Sequence, residues 1–236
     1  WFGNQLDLPK QLPMPVPVKN TINGKYRIYM NYCTVSYSAA WWDWERWQRE
    51  LDFMAMNSIN MPLSVVGLEA VWYNTLLKHK FTDEEARRFL AGPGHFAWQW
   101  MQNLQSYGGP LPKSWIDKHI VLGKQIIDRE LELGMQPIQQ GFSGYVPRER
   151  KEKCPDAKIQ LQPSWCGFTG AAQLDPTDSL FTVIGRDFLE EEKKLYGAHG
   201  VYAADPFHES QPPVDTPEYL SAVGNSIHKL FNDFDP

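Results

Sequence analysis

The chain has 236 residues, 42% of them hydrophobic, enough to bury one large core, and carries a net charge of −5. Its longest basic cluster, residues 148–153, is broken by acids, which argues against a nucleic-acid backbone as partner, and no run approaches the ~20 apolar residues that span a bilayer. Aromatic content is high at 14%, with 10 Trp, and such rings suit the apolar faces of sugars as well as a packed core.

Residues 1–25 are rich in proline and read as a linker or the tail of a preceding small domain. The chain starts at Trp1 without a leader pattern, so a processed or trimmed start is expected. Residues 26–34, YRIYMNYCT, alternate and are aromatic, which predicts a first strand ending in Asn31 and Cys33. As i and i+2 of a strand, those two side chains would share one face. Asp43 is placed to cap the next helix, in which Trp44, Trp47, Leu51 and Met54 recur at helical spacing as a core-facing stripe.

Residues 59–66, INMPLSVV, read as a second buried strand, with Pro62 the discordant member. A helix follows over 68–78, and another opens at Thr82 with acids in its first turn. Gly92-Pro93-Gly94 breaks the chain, and residues 95–104 are aromatic and helical or irregular. Ser114 is the predicted cap of a long helix that Gly134 ends. Residues 135–142 form a third predicted strand, and 148–178 read as irregular. A helix over 180–196, a short apolar strand over 201–204 and a helix over 217–231 complete the chain.

Strands alternating with helices predict a parallel sheet with right-handed crossovers. Four such units make either half of a (β/α) barrel, which closes with eight strands, or a small open sheet. No Gly-rich phosphate loop follows any strand, which disfavours a nucleotide-binding doubly wound fold. The cysteines are Cys33, Cys154 and Cys166; the odd count excludes full internal pairing, although Cys154 and Cys166 could pair. No Cys or His spacing suggests a metal site.

The fourth strand runs directly into Asp205, His208 and Glu209. Titratable groups at the C-terminal end of a barrel strand are where this architecture places chemistry. A carboxylate held there against apolar walls is expected to keep its proton more tightly and serve as a proton donor. A solvated loop glutamate is the alternative reading of Glu209.

Three segments carry a family resemblance. They are NYCTVSYS (31–38) joined to WWDWERW (41–47), AWQWMQN (97–103) with GPLP (109–112), and DPFHESQPP (205–213). Together they resemble the α-N-acetylglucosaminidases, glycoside hydrolase family 89, from about residue 26 to the C-terminus. The resemblance implies that residues 26–236 form the N-terminal part of a TIM-barrel catalytic domain, supplying about the first four strand–helix units. It implies a retaining, exo-acting hydrolase that removes terminal α-linked N-acetylglucosamine and needs no metal or cofactor. It makes Glu209 the general acid/base and places Asn31, Cys33, Trp98 and His208 in the sugar pocket. Other members carry Asn where His208 stands. The family's nucleophilic Glu matches no segment here, so the rest of the polypeptide or a partner chain is expected to complete the barrel. A secreted, periplasmic or lysosome-like location is implied. Cys33 as a small buried hydrophobe, Trp98 as core packing, and the whole chain as a non-catalytic sugar-binding or structural fragment are the rival readings.

Overall fold

Four short parallel segments build the sheet. In a computed structural model, which describes residues 11, 14 and 16–236, β1 (Ile28–Tyr29) pairs with β2 (Met61–Pro62) in parallel register. Leu63 bridges in parallel to Ile138, just ahead of β3 (Gln139–Gln140). The last member pairs β3 with Tyr202–Ala203. Backbone bonds outside the formal strands lengthen each rung: Leu63 N–H donates to Tyr29 O, Ile138 N–H to Pro62 O, and Gly141 N–H to Ala203 O. Pro62 is tolerated here as an acceptor, at the cost of one ladder bond its nitrogen cannot donate. The sheet is therefore half of a parallel barrel, with every strand's C-terminal end on one side.

The residues at the start of the chain, including Leu8-Pro9 and Leu12-Pro13, lie outside the described residues; 16–25 are exposed and carry no regular structure. The predicted first strand is shorter than expected. It ends before Asn31, whose side chain accepts the N–H of Thr34 and so caps a helix, α1 (Tyr32–Tyr37). Local capping wins over the strand propensity of YCTVSY. Asn31 and Cys33 consequently sit at the cap and in the first turn of a helix, where i and i+2 do not share a face. Asp43 caps α2 (Trp44–Met56) as expected, and Trp47, Leu51 and Met54 of α2 are buried.

Between β2 and β3 lie α3 (Leu68–Lys78), α4 (Asp83–Phe89), a 3-10 turn over Pro93–His95, α5 (Phe96–Trp100) and α6 (Lys113–Glu132). Helix α4 has a reciprocal Thr82/Glu85 capping box. Helix α6 begins one residue before Ser114, with Pro112 at its N-cap and no side-chain cap, so the expected role of Ser114 is not realised. Gly67 enters α3 at φ +89°, and a Cβ there would lie 2.1 Å from the Tyr196 hydroxyl, so only glycine fits.

The stretch 148–178 is more ordered than its composition suggests. Strand β4 (Tyr145–Val146), helix α7 (Arg150–Lys153), β5 (Ile159–Leu161) and β6 (Ala172–Leu174) give an antiparallel sheet ordered β4-β6-β5. Helix α8 (Ser179–Tyr196), capped by Asp178, then returns to β7 (Tyr202–Ala203), and α9 (Pro217–Phe234) follows. All three cysteines are free: Cys154 ends α7 and Cys166 is exposed in the connection from β5 to β6, so the possible Cys154–Cys166 pair is not formed. Among the described residues no helix is long and apolar enough to cross a membrane.

The core has two parts. The larger centres on Trp72 of α3, whose ring meets Phe89, Phe142, Tyr145 and Phe188 at centroid distances of 4.9–6.1 Å. The smaller joins the α2 stripe to Ile126 of α6 and Met135.

Glu130 of α6 is buried in this interior, with Ser64 Oγ donating to its Oε2 at 2.6 Å. Burial pushes its carboxyl from 4.5 up to about 8. Between those values the folded protein keeps a proton that the unfolded chain has lost. Stability therefore falls as pH rises from about 5 to about 8, by a full penalty on the order of 4 kcal/mol. In the full-length protein, Glu130→Gln keeps a neutral hydrogen-bonding group and should remove that slope. The variant's Tm should gain on the parent's progressively from pH 5 to 8. Parallel Tm curves for the two proteins would contradict a raised Glu130.

Candidate active site

The C-terminal ends of the parallel strands converge on a polar surface. After β3 come Phe142 and Ser143, after β7 comes Asp205, and the 102–103 turn beyond α5 closes over both. Gln102, at φ +70°, donates from Nε2 to Ser143 Oγ at 2.6 Å and to Asp205 O at 2.7 Å. This stitches the two strand ends together. Gln140 of β3 accepts a hydrogen bond from the Tyr32 hydroxyl of α1. Burial, and then the charges of Glu192 and Asp205, hold that hydroxyl well above the ordinary tyrosine range, so Tyr32 stays a proton-bearing donor.

Glu209 lies five residues past β7-adjacent Ala204, at φ +50°, a left-handed conformation uncommon for a residue with a side chain. Its Oε2 accepts two hydrogen bonds, from Asn103 Nδ2 at 3.2 Å and from Trp165 Nε1 at 2.8 Å. The apolar surround expected for it is not found: Glu209 is exposed, and polar N–H groups hold it. Asn103 is buried, and its backbone N–H donates to Trp98 O at 2.9 Å. One residue therefore ties Trp98 to Glu209.

Trp165 arrives on a β-hairpin that extends the β5–β6 pair. Its tip is closed by two backbone bonds between Trp165 and Phe168. Cys166 and Gly167 between them have φ +47° and +86°, the positive pair that a type I′ turn requires. At the hairpin's base Arg148 Nη1 donates to the carbonyls of Gln162, Gly170 and Ala171. Gly170 cannot be replaced there, because a Cβ would lie 1.9 Å from Pro163 O. Phe168 packs on Tyr107 and His95, and His95 on Trp98, so an aromatic wall runs from the hairpin tip to Trp98.

The five sequence-predicted residues are distributed as follows. Trp98 and Glu209 are joined through Asn103. His208 is half-buried beside Glu209, with Nδ1 2.8 Å from Asp205 Oδ2, leaving Nε2 uncommitted. Asn31 and Cys33 sit on α1, which packs on α5, the helix that bears Trp98. The Tyr37 ring of α1 meets the Trp98 ring edge-on at 5.3 Å. Asn31 spends its side-chain oxygen on Thr34, and among the described residues neither Asn31 nor Cys33 hydrogen-bonds Glu209. Sequence reasoning missed Asn103, Trp165, Gln102 and Tyr32. The two-residue Cys166-Gly167 turn between aromatic residues was the available signal for Trp165.

Residues 27–236 match the family described as the α-N-acetylglucosaminidase (NAGLU) TIM-barrel domain. The chain is 38% identical to human α-N-acetylglucosaminidase over 240 residues, covering 100% of this chain and 32% of that protein. It is similar to a family 89 glycoside hydrolase from Clostridium perfringens solved with 2-acetamido-1,2-dideoxynojirmycin, at TM-score 0.82 and 35% identity, over 89% of this chain and 25% of that one. A variant of the Clostridium perfringens enzyme with two Glu replaced by Gln, solved with its substrate GlcNAc-α-1,4-galactose, matches at the same TM-score and identity, over 89% and 24%. The chain thus spans about a third of the human relative and about a quarter of the solved ones. It belongs to the α-N-acetylglucosaminidase TIM-barrel domain family of glycoside hydrolases.

Proposed function

We propose that residues 26–236 are the N-terminal part of the catalytic barrel of a retaining, exo-acting glycoside hydrolase, and that Glu209 is its general acid/base. The substrate would be a glycan ending in α-linked N-acetylglucosamine, as the substrate of the Clostridium perfringens relative does. The observation that carries this reading is the placement of Glu209. It follows a barrel strand at its C-terminal end, one carboxylate oxygen is held by two N–H donors, and the other is left uncommitted.

In such an enzyme Glu209 would give a proton to the glycosidic oxygen as the bond to the anomeric carbon breaks. A second Glu, ~5–5.5 Å away in retaining enzymes, would bond to that carbon from the opposite face. Glu209 would then take a proton from the water that displaces the sugar. The second Glu would come from the part of the polypeptide, or from a partner chain, that completes the barrel. The replacement of two Glu in the relative solved with substrate supports a pair of carboxylates. Trp98, His208, Asn31 and Cys33 would line the sugar pocket, with Nε2 of His208 free to meet a hydroxyl and the Nδ2 of Asn31 still able to donate to one. An enzyme of this kind would work in a secreted, periplasmic or lysosome-like compartment.

In the full-length protein, Glu209→Gln should lose about a thousandfold in kcat/KM on α-N-acetylglucosaminides with poor leaving groups. On dinitrophenyl glycosides, which need no protonation to depart, the loss should be far smaller. Equal losses on both substrate classes would remove Glu209 from the acid role.

Trp98→Ala should lower kcat/KM by roughly tenfold to a hundredfold on both classes alike, because the lost contact is to the sugar and not to the leaving group. Saturation kinetics on the same two substrates check this. An unchanged kcat/KM would return Trp98 to a packing role.

A further inference from the structure

The hairpin tip does more than cover the strand ends. Trp165 reaches Glu209 from a segment forty-four residues earlier in the chain and uses its one polar atom on that carboxylate. Asn103 makes the second bond to the same oxygen. Its situation is unusual. The residue is buried at 5% exposure, and among the described residues its side-chain Oδ1 has no hydrogen-bond partner. Burying an amide with its acceptor unsatisfied costs stability. Among the described residues, the only side-chain bond this amide makes is the one to Glu209 Oε2.

We infer that Trp165 and Asn103 are positioning residues for Glu209, and that by occupying Oε2 together they assign the transferred proton to Oε1. The inference rests on the reading of Glu209 as general acid/base. An oxygen that accepts two N–H bonds has little lone-pair capacity left for a proton. The proton therefore sits on Oε1, and the carboxyl plane is fixed by bonds from two separate elements, the hairpin tip and the turn after α5. When Oε1 gives its proton to the glycosidic oxygen, the C–O bond breaks with its electron pair going to the leaving group. The carboxylate formed on Glu209 is met by two donors already in place, which favours the charge as it develops. In the second half, Oε1 takes a proton from water as the water oxygen bonds to the anomeric carbon, and the bond from that carbon to the second Glu breaks with its electron pair returning to that carboxylate. The same two donors hold the group in one orientation through both proton transfers.

The backbone supports this assignment. Glu209 is in the left-handed region, where a residue with a Cβ is held only by its surroundings, and the two side-chain bonds supply that hold. The hairpin that delivers Trp165 is itself fixed at its base by Arg148 and at its tip by the Phe168 contact with Tyr107. The indole is presented by a braced element and not by a free loop.

The test uses the full-length protein with Trp165→Phe, which keeps a ring beside Phe168 and removes the N–H. The turn is exposed at Cys166 and Gly167, so folding is not at stake, and an unchanged Tm checks it. Expected is a loss of about tenfold in kcat/KM, which reports the proton-donating half of the reaction, on substrates with poor leaving groups, and a loss of less than about twofold in kcat/KM on the dinitrophenyl glycoside. A plot of log kcat/KM against leaving-group acidity should steepen. Asn103→Leu, of similar volume, should steepen it in the same way. A structural role would lower both substrate classes equally and leave the slope unchanged; that result, or no loss at all, overturns the inference. The parent reading is judged separately by Glu209→Gln. If that variant shows the leaving-group split and Trp165→Phe does not, the positioning role alone fails. If Glu209→Gln shows no split, the acid/base reading fails with it.

Discussion

The aromatic cluster on Trp72 is the contact on which the rest of the molecule depends. Trp72 belongs to α3, between the second and third parallel strands, and it touches rings from α4, α8, the end of β3 and β4. Each such pair adds to area burial an orientation preference that fixes the relative placement of its elements. Tyr145, one of those rings, carries the constraint outward. Its buried hydroxyl donates to Leu104 O at 2.9 Å and accepts from Gln99 Nε2 at 3.1 Å. Burial drives that hydroxyl far above the usual tyrosine range, so it stays a donor. Leu104 is the residue after Asn103. The line from the core to the Glu209 carboxylate therefore runs Trp72, Tyr145, Leu104, Asn103, Glu209, each link a packed ring, a backbone bond or a side-chain bond.

A second line reaches Glu209 from the antiparallel sheet. Tyr145 opens β4, β4 pairs with β6, and β6 pairs with β5. The hairpin beyond β5 and β6 carries Trp165. Both groups that hold the Glu209 carboxylate thus trace back to the same ring cluster, by separate routes. Glu209 is exposed, whereas Asn103 is buried and Trp165 half-buried. That division suits an acid/base that must meet a leaving group and then a water.

Much of the architecture was legible because it follows from period and capping. The α2 stripe Trp47, Leu51 and Met54, the Thr82/Glu85 box, and the alternation of strands with helices are local signals, and the parallel half-barrel follows from them. What was not legible depended on competition or distance. Residues 32–37 have strand-like composition, yet one capping bond from Asn31 turns them into a helix, which moved Asn31 and Cys33 off a common face. The hairpin over 159–174 has arms that mix polar and apolar residues with no clear period, because its order comes from Arg148 and from cross-strand pairing. For the proposed site, Glu209 was a candidate from its place after a strand and from the family motif. Trp165 and Asn103 were not, because forty-four and one hundred and six residues separate them from the carboxylate they hold. Asn103 stood inside a segment quoted for the resemblance, but nothing local marks its amide as aimed at Glu209.

The most direct measurement is chemical rescue of Glu209→Ala by azide in the full-length protein, with a dinitrophenyl α-N-acetylglucosaminide as substrate and the anomeric configuration of the product read by NMR. With the acid/base removed and the nucleophile intact, the glycosyl-enzyme still forms, and azide, which needs no base, should release it as the α-glycosyl azide with restored turnover. A β-glycosyl azide would make Glu209 the nucleophile, and an absence of any azide effect would remove it from the proton-transfer chemistry altogether.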